Sequence, residues 1–222
     1  MPESKWHFEL RTILYQIVKL ALGDRALIGS DQFVYWEATD PTANLAPDLF
    51  VRMGAPDEKF TSWKTWERGA PHVAVEIVSP SDTGPGPWAD KLAKYHRLGI
   101  TELVRFQPEE PESPLRVWDY VEGDLVEREV TPGRPTECVP LGLWWTVRED
   151  EDLGPVLRLA RDSVGRDLLP NELELRRAAE AEGKAELELR KIAEAKGRIA
   201  EVERDAALEE LRVLKEKLST LR

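Results

Sequence analysis

The spacing of apolar residues divides the chain into two regimes. Between residues 4 and 22, Phe8, Leu10, Ile13, Leu14, Ile17, Val18 and Ala21 recur at steps of three and four, the period of a helix with one buried face. Gly23-Asp24 closes it. Short apolar stretches at residues 26–28, 33–36 and 47–51 read as strands. Residues 72–78 differ: His72-Val73-Ala74-Val75-Glu76-Ile77-Val78 is nearly unbroken and β-branched, as expected of a central strand covered on both faces, and Ser79-Pro80 stops it. Residues 82–87 read as loop and residues 88–98 as a helix closed by Gly99. Residues 101–106, 115–120 and 125–130 read as strands, the last two joined through Glu122-Gly123-Asp124. Residues 143–147 and 156–159 form a last hairpin.

Beyond Pro170 the pattern changes. Asn171 is a helix-capping residue, and Glu172 and Glu174 fall in the first turn, where the helix dipole favours acids. Leu175, Ala178, Ala185, Leu189 and Ile192 make one stripe; Ala207, Leu211, Leu214, Leu218 and Leu221 make another. The register slips between them near residues 195–204, and Gly183 and Gly197 weaken the helix. All 16 prolines lie at or before Pro170, and no aromatic residue follows Trp145. The expected organisation is therefore a globular α/β domain over residues 1–169 and a helical, coiled-coil extension over residues 170–222. So polar a helix has little to bury alone: it pairs with a copy of itself, giving the expected homodimer through the C-terminal helix, or packs partly on its own domain.

Charge narrows the function classes. The 222 residues carry a net −11 with a pI near 5.0. That disfavours attachment to nucleic acid or anionic lipid by bulk charge. The tail holds 12 basic and 13 acidic residues, so −10 of the total belongs to residues 1–170. A single cysteine, Cys138, excludes an internal disulfide framework and a four-cysteine zinc site. No run of about 18 apolar residues occurs, so no membrane span is expected. The opening MPESKWHFEL lacks the basic-then-apolar plan of a signal peptide, and a cytoplasmic location is expected.

Three features carry candidate chemistry. Pro47-Asp48 opens a strand. Glu76 interrupts an apolar run, where a carboxylate costs several kcal/mol to bury without a cation or donors. Lys91 and Tyr95 stand four apart, on one face of the following helix. Two carboxylates at the ends of neighbouring strands make a hard, oxygen-rich site suited to magnesium or manganese rather than zinc. A lysine nearby can orient water or offset charge building on a phosphate. The three histidines, at 7, 72 and 96, have no short metal-ligand spacing. The prolines of Gly84-Pro85-Gly86-Pro87 lack the amide donors of a phosphate loop. Trp63, Trp66 and Trp88 flank the predicted site region, as core residues or as platforms for unpaired bases.

Ala46-Pro47-Asp48, the string Val75-Glu76-Ile77-Val78-Ser79-Pro80-Ser81, Lys91-x-x-x-Tyr95 and Gly99-Ile100-Thr101-Glu102 together resemble the Uma-two family of restriction endonucleases, within the PD-(D/E)xK nuclease superfamily. The similarity spans roughly residues 5–165. It implies a restriction-endonuclease-like core, a mixed sheet flanked by helices, and a nuclease acting on nucleic acid, DNA foremost. The resemblance places Asp48 and Glu76 as metal ligands. The superfamily's lysine usually stands two residues after the second acid, where this chain has Val78; in the Uma-two pattern it moves to the next helix and matches Lys91. Glu9 matches an acid on the first helix that could assist the metal through water. The chain departs from the family at Gly84-Pro85-Gly86-Pro87, where an aspartate and an arginine are common. It departs again at Leu103 and Gln107, in places often aromatic and aspartate.

Two other readings stay open on the residues alone. An inactive nuclease-like scaffold that oligomerises through its tail fits the acidic charge, because a nuclease must approach a polyanion. Cations at Lys59, Lys64, Arg68, Lys91, Lys94, Arg97 and Arg105 offset that objection if they share a face. A carboxylate-pair glycosidase would need an open sugar cleft.

Overall fold

Helix α1 (Lys5–Leu22) is capped by Ser4, whose hydroxyl oxygen accepts the His7 amide at 3.1 Å. After it come strands β1 (Ala26–Gly29), β2 (Val34–Tyr35), β3 (Asn44–Leu45), β4 (Leu49–Met53) and β5 (Trp63–Lys64), then the short helix α2 (Thr65–Arg68) and strand β6 (Val73–Ile77). Helix α3 (Pro85–Leu98) leads to β7 (Glu102–Phe106), β8 (Leu115–Val121) and β9 (Asp124–Arg128). Strands β10 (Thr136–Cys138), β11 (Leu143–Asp150) and β12 (Gly154–Ala160) precede helix α4 (Glu172–Thr220). This computed structural model describes residues 4–78 and 85–220, with side chains for 4–78 and 87–215. The chain divides into two compact units, on either side of Glu172 and Leu173.

The main sheet runs β1-β4-β6-β7-β8-β9. Only β6 and β7 pair in parallel; every other neighbouring pair is antiparallel. The parallel pair needs a crossover, and α3 supplies it. Two smaller sheets, β10-β11-β12 and β3-β2-β5, complete the domain. A mixed sheet flanked by helices, with a long C-terminal helix, is the fold class the sequence implied.

β6 lies between two cores. Val73, Val75 and Ile77 face Leu14, Ile17 and Val18 of α1, while Ala74 faces the core built by Phe50, Trp63, Leu103, Tyr95 and Leu98. All five strand residues are buried. That is the physical content of the unbroken apolar run, because alternate side chains enter opposite cores. The last turn of α3 is closed by Gly99, at φ 74°, whose amide reaches the Tyr95 carbonyl at 3.2 Å. Glu122 and Gly123, at φ 51° and 96°, make a two-residue turn between the paired residues Val121 and Asp124.

The small β10-β11-β12 sheet is tied to the large one through Glu102. This fully buried carboxylate accepts the Trp145 indole N–H at 2.8 Å, Arg128 Nη2 at 3.1 Å and the Val139 amide at 3.3 Å. Burial raises its pKa, against the pull of these donors. Cys138 is buried as well, its thiol pushed well above its ordinary pKa by burial and the Glu102 charge, which makes it a packing residue rather than a nucleophile.

Several elements differ from the expectation. α3 begins at Pro85, so residues 85–87, read as loop, are helical. Proline is tolerated in a first helical turn, where its missing N–H would be unpaired anyway. The stop at Ser79-Pro80 and residues 82–84 of the expected loop lie outside the described residues. β3, β5, β10 and α2 have no counterpart in the periodicity because they are two to four residues long. α4 extends over 49 residues, with Leu189, Ile192, Leu211 and Leu214 all exposed. Among the described residues no helix is long and apolar enough to cross a membrane.

Candidate active site

The antiparallel register pairs Leu49 with Val75, so Asp48, just before β4, stands across from Glu76 near the end of β6. The pairing is closed by a side chain: Asp48 Oδ2 accepts the Ile77 amide at 2.7 Å. The Asp48 carbonyl in turn accepts the Ser30 hydroxyl at 2.7 Å.

Glu76 points into the α3 side of the sheet and is 4% exposed. Its two oxygens are both engaged from α3. Lys91 Nζ donates to Oε2 at 2.7 Å, and the buried Tyr95 hydroxyl donates to Oε1. The four-residue spacing of Lys91 and Tyr95 brings both donors onto one carboxylate, because residues four apart lie one above the other on a helix. The Lys91 side chain stays 39% exposed. A recess of about 70 Å³ opens beside it, lined by Glu76, Ile77, Val78, Pro87, Trp88 and Lys91.

The electrostatics follow from this burial. Loss of water, against the opposing pull of Lys91 and with a smaller push from the Asp48 charge, raises the Glu76 pKa to about 7. Tyr95 is pushed well above its ordinary value by burial and by the Glu76 charge, so its hydroxyl remains a donor. The cluster is two acids that repel each other, one lysine partly in water, and one phenol whose ionisation is disfavoured.

Helix α1 also reaches this place, through a residue the sequence did not single out. His7 Nε2 lies 2.8 Å from the Ile77 carbonyl and 3.4 Å from Asp48 Oδ2. Its separation of 41 and 70 residues from its partners leaves no local signal. Glu9, two positions on, pairs instead with Lys5 at 3.4 Å; among the described residues no hydrogen bond or ion pair joins it to Asp48 or Glu76. His72 accepts the Met53 amide at 3.0 Å, and His96 contacts the Gly123 carbonyl at 2.8 Å. Trp63 is core, Trp66 is exposed, and Trp88 alone of the three lines the recess. Among the described residues no group of three or more His, Cys, Asp and Glu side chains could hold a metal ion.

An α/β domain whose two facing acids and helix-borne lysine gather where the parallel strand pair ends is the class that fold and site define. The chain belongs to the Uma2 family, described as "Putative restriction endonuclease", whose model matches residues 1–148. Among solved structures it is similar to "a putative nuclease belonging to DUF820 from Anabaena variabilis ATCC 29413", at 14% identity and a TM-score of 0.45, covering 64% of this chain and 75% of that one. No curated protein matches it.

The Glu76 shift predicts a pH dependence of stability. A carboxyl whose pKa is raised by folding keeps its proton in the native state after the unfolded chain has released its own, so stability falls as pH rises through that window. Here the window runs from 4.5 to about 7. Urea unfolding from pH 5 to 8 should show Glu76→Gln gaining on wild type as pH rises, by at most about 1.4 kcal/mol per pH unit. A constant difference across the window contradicts the shift.

Proposed function

We propose that this domain is a metal-dependent nuclease hydrolysing phosphodiester bonds in nucleic acid, with Asp48 and Glu76 as metal ligands and Lys91 as the catalytic lysine. The observation that carries the reading is the Glu76 carboxylate, buried at the end of a central strand, held by Lys91 and facing a second acid. A purely structural partner for Lys91 would not need a second carboxylate close enough to raise the Glu76 pKa.

The residues fit a hard divalent cation. The donors are carboxylate oxygens, two negative charges meet with one lysine between them and water, and neither thiolate nor a histidine cluster is present among the described residues. Two carboxylates without a third protein ligand of that kind suit magnesium or manganese, which keep several waters and share the substrate's phosphate. Such an ion, when bound, polarises a phosphoryl oxygen and lowers the pKa of its water. Lys91, partly exposed at the recess, can turn its ammonium between Glu76 and a phosphate oxygen and offset the charge that develops there. Tyr95 stays protonated and fixes the Glu76 carboxylate from below. His7 and the Ile77 amide fix Asp48. Glu9, one turn from Lys5 on α1, would act through water.

The tail supports a second element of the reading, a homodimer through α4. Leucine and isoleucine side chains stand exposed along a helix of 49 residues, and a second copy is the partner whose stripe has the same spacing.

Single- and double-stranded DNA and RNA incubated with magnesium or manganese should be cleaved by wild type, and Glu76→Ala and Lys91→Ala should each lose about 10²-fold or more in rate. Equal cleavage by both variants contradicts the site, and an inactive scaffold would show no cleavage by any form. For the tail, light scattering should give a dimer mass for the full chain and a monomer mass for the Leu211→Glu, Leu214→Glu double variant. A monomeric wild type contradicts the dimer.

A further inference from the structure

Arg105, on the Glu76 face of the main sheet, forms no ion pair with a carboxylate among the described residues. Strand pairing sets Glu76, Arg105 and Arg116 side by side, Glu76 opposite Arg105 across β6 and β7, and Arg105 opposite Arg116 across β7 and β8. Lys91 neutralises Glu76. Arg116 is neutralised by Glu127 through two bonds of 2.7 Å. Arg105 is left over. Its Nη2 donates to the side-chain oxygen of Gln107, which is neutral, and its Nε has no partner. Glu110 and Glu127 act on it only from beyond contact, and among the described residues no carboxylate forms an ion pair with it.

The arrangement is unfavourable as it stands. Arginines directly opposed across two strands repel, and Arg105 is only 7% exposed, where a guanidinium without an anion is costly. The Trp88 ring, whose centroid lies 4.9 Å from the Arg105 Cζ, stabilises the cation through its π face but brings no charge. Trp88 also lines the recess beside Glu76 and Lys91, and its own indole N–H is buried without a partner. Two donors, Arg105 Nε and the Trp88 indole N–H, are thus buried without partners, and among the described residues no carboxylate contacts the Arg105 charge, one strand spacing, about 4.8 Å, from the proposed metal-binding acid.

We propose that Arg105, aligned by Gln107 and the Trp88 ring, is a phosphate-binding position that holds the nucleic-acid backbone phosphate next to the one presented to Glu76 and Lys91. This rests on the nuclease reading for the identity of the ligand. A planar guanidinium with free edges takes a phosphate in a fork. Gln107 keeps the fork oriented without spending its charge, which a carboxylate at that position would do.

That last point supplies the test. Gln107→Glu is nearly isosteric and gives Arg105 an internal counter-charge; Arg105→Met removes the charge and keeps the stem; Arg105→Lys keeps the charge. Anisotropy of a fluorescent 12-nucleotide DNA single strand, with divalent ions chelated, is followed on the full chain against salt. Gln107→Glu and Arg105→Met should bind about tenfold more weakly at low salt, and the slope of log K against log salt should fall by about 0.7, the share of one phosphate. Arg105→Lys should keep the wild-type slope. Wild-type affinity and slope in both Gln107→Glu and Arg105→Met overturn the inference, as does a wild type that binds no strand. A protein that binds with this dependence yet cleaves nothing in magnesium or manganese loses the nuclease reading and keeps the phosphate site. One that cleaves with unaltered KM in Gln107→Glu does the reverse.

Discussion

The buried Glu76 carboxylate is the constraint around which this domain is arranged. A charge in a strand that lies between two apolar cores is tolerated only when donors reach it in fixed geometry. The structure meets that demand from helix α3 and sets two further groups at the same strand end. Helix α3 supplies Lys91 and Tyr95 to its two oxygens. The antiparallel register of β4 brings Asp48 across from it, pinned to the Ile77 amide. Helix α1 contributes His7 at the same strand end. The crossover helix therefore does two jobs, covering the sheet and neutralising the acid, and the dryness that raises the Glu76 pKa comes from the same packing that makes β6 central.

Much of this was legible in the chain because the informative signals are local. The Glu76 signal is a single acid in an apolar run; the Lys91 and Tyr95 signal is a four-residue spacing; the Asp48 signal is a Pro-Asp at a strand start. Each is read within a few residues, and each of these side chains meets at one place. What stayed hidden depends on long-range contact or on brevity. His7 reaches residues 41 and 70 positions away. Strands of two or three residues such as β3, β5 and β10 cannot display a period of two. Gly84-Pro85-Gly86-Pro87 reads as a break, yet α3 starts within it, because proline costs a helix little in its first turn. Gln107 looks like a mere departure from the family pattern until the fold shows it accepting from Arg105.

The acidic balance of the chain gains a structural meaning. Several of the cations expected to offset it are spent on neighbours: Lys64 pairs with Glu67, Arg68 pairs with Glu58 and stacks over Trp63, and Lys91 pairs with Glu76. These three cations are thereby withdrawn from any free basic face. Affinity for a polyanion would then come from a few placed groups rather than from bulk charge, which favours recognition confined to the neighbourhood of the site and a shallow dependence on salt, because the slope grows with the number of phosphates neutralised.

In the proposed site Asp48 and Glu76 together hold a divalent cation, with Lys91 its competitor for a Glu76 oxygen. Manganese binding measured by electron paramagnetic resonance, without substrate, tests it most directly. Asp48→Asn and Glu76→Gln should each weaken manganese binding about tenfold or more, while Lys91→Met should leave it as tight as in wild type or tighten it. Manganese binding unchanged by both carboxylate substitutions would contradict the account.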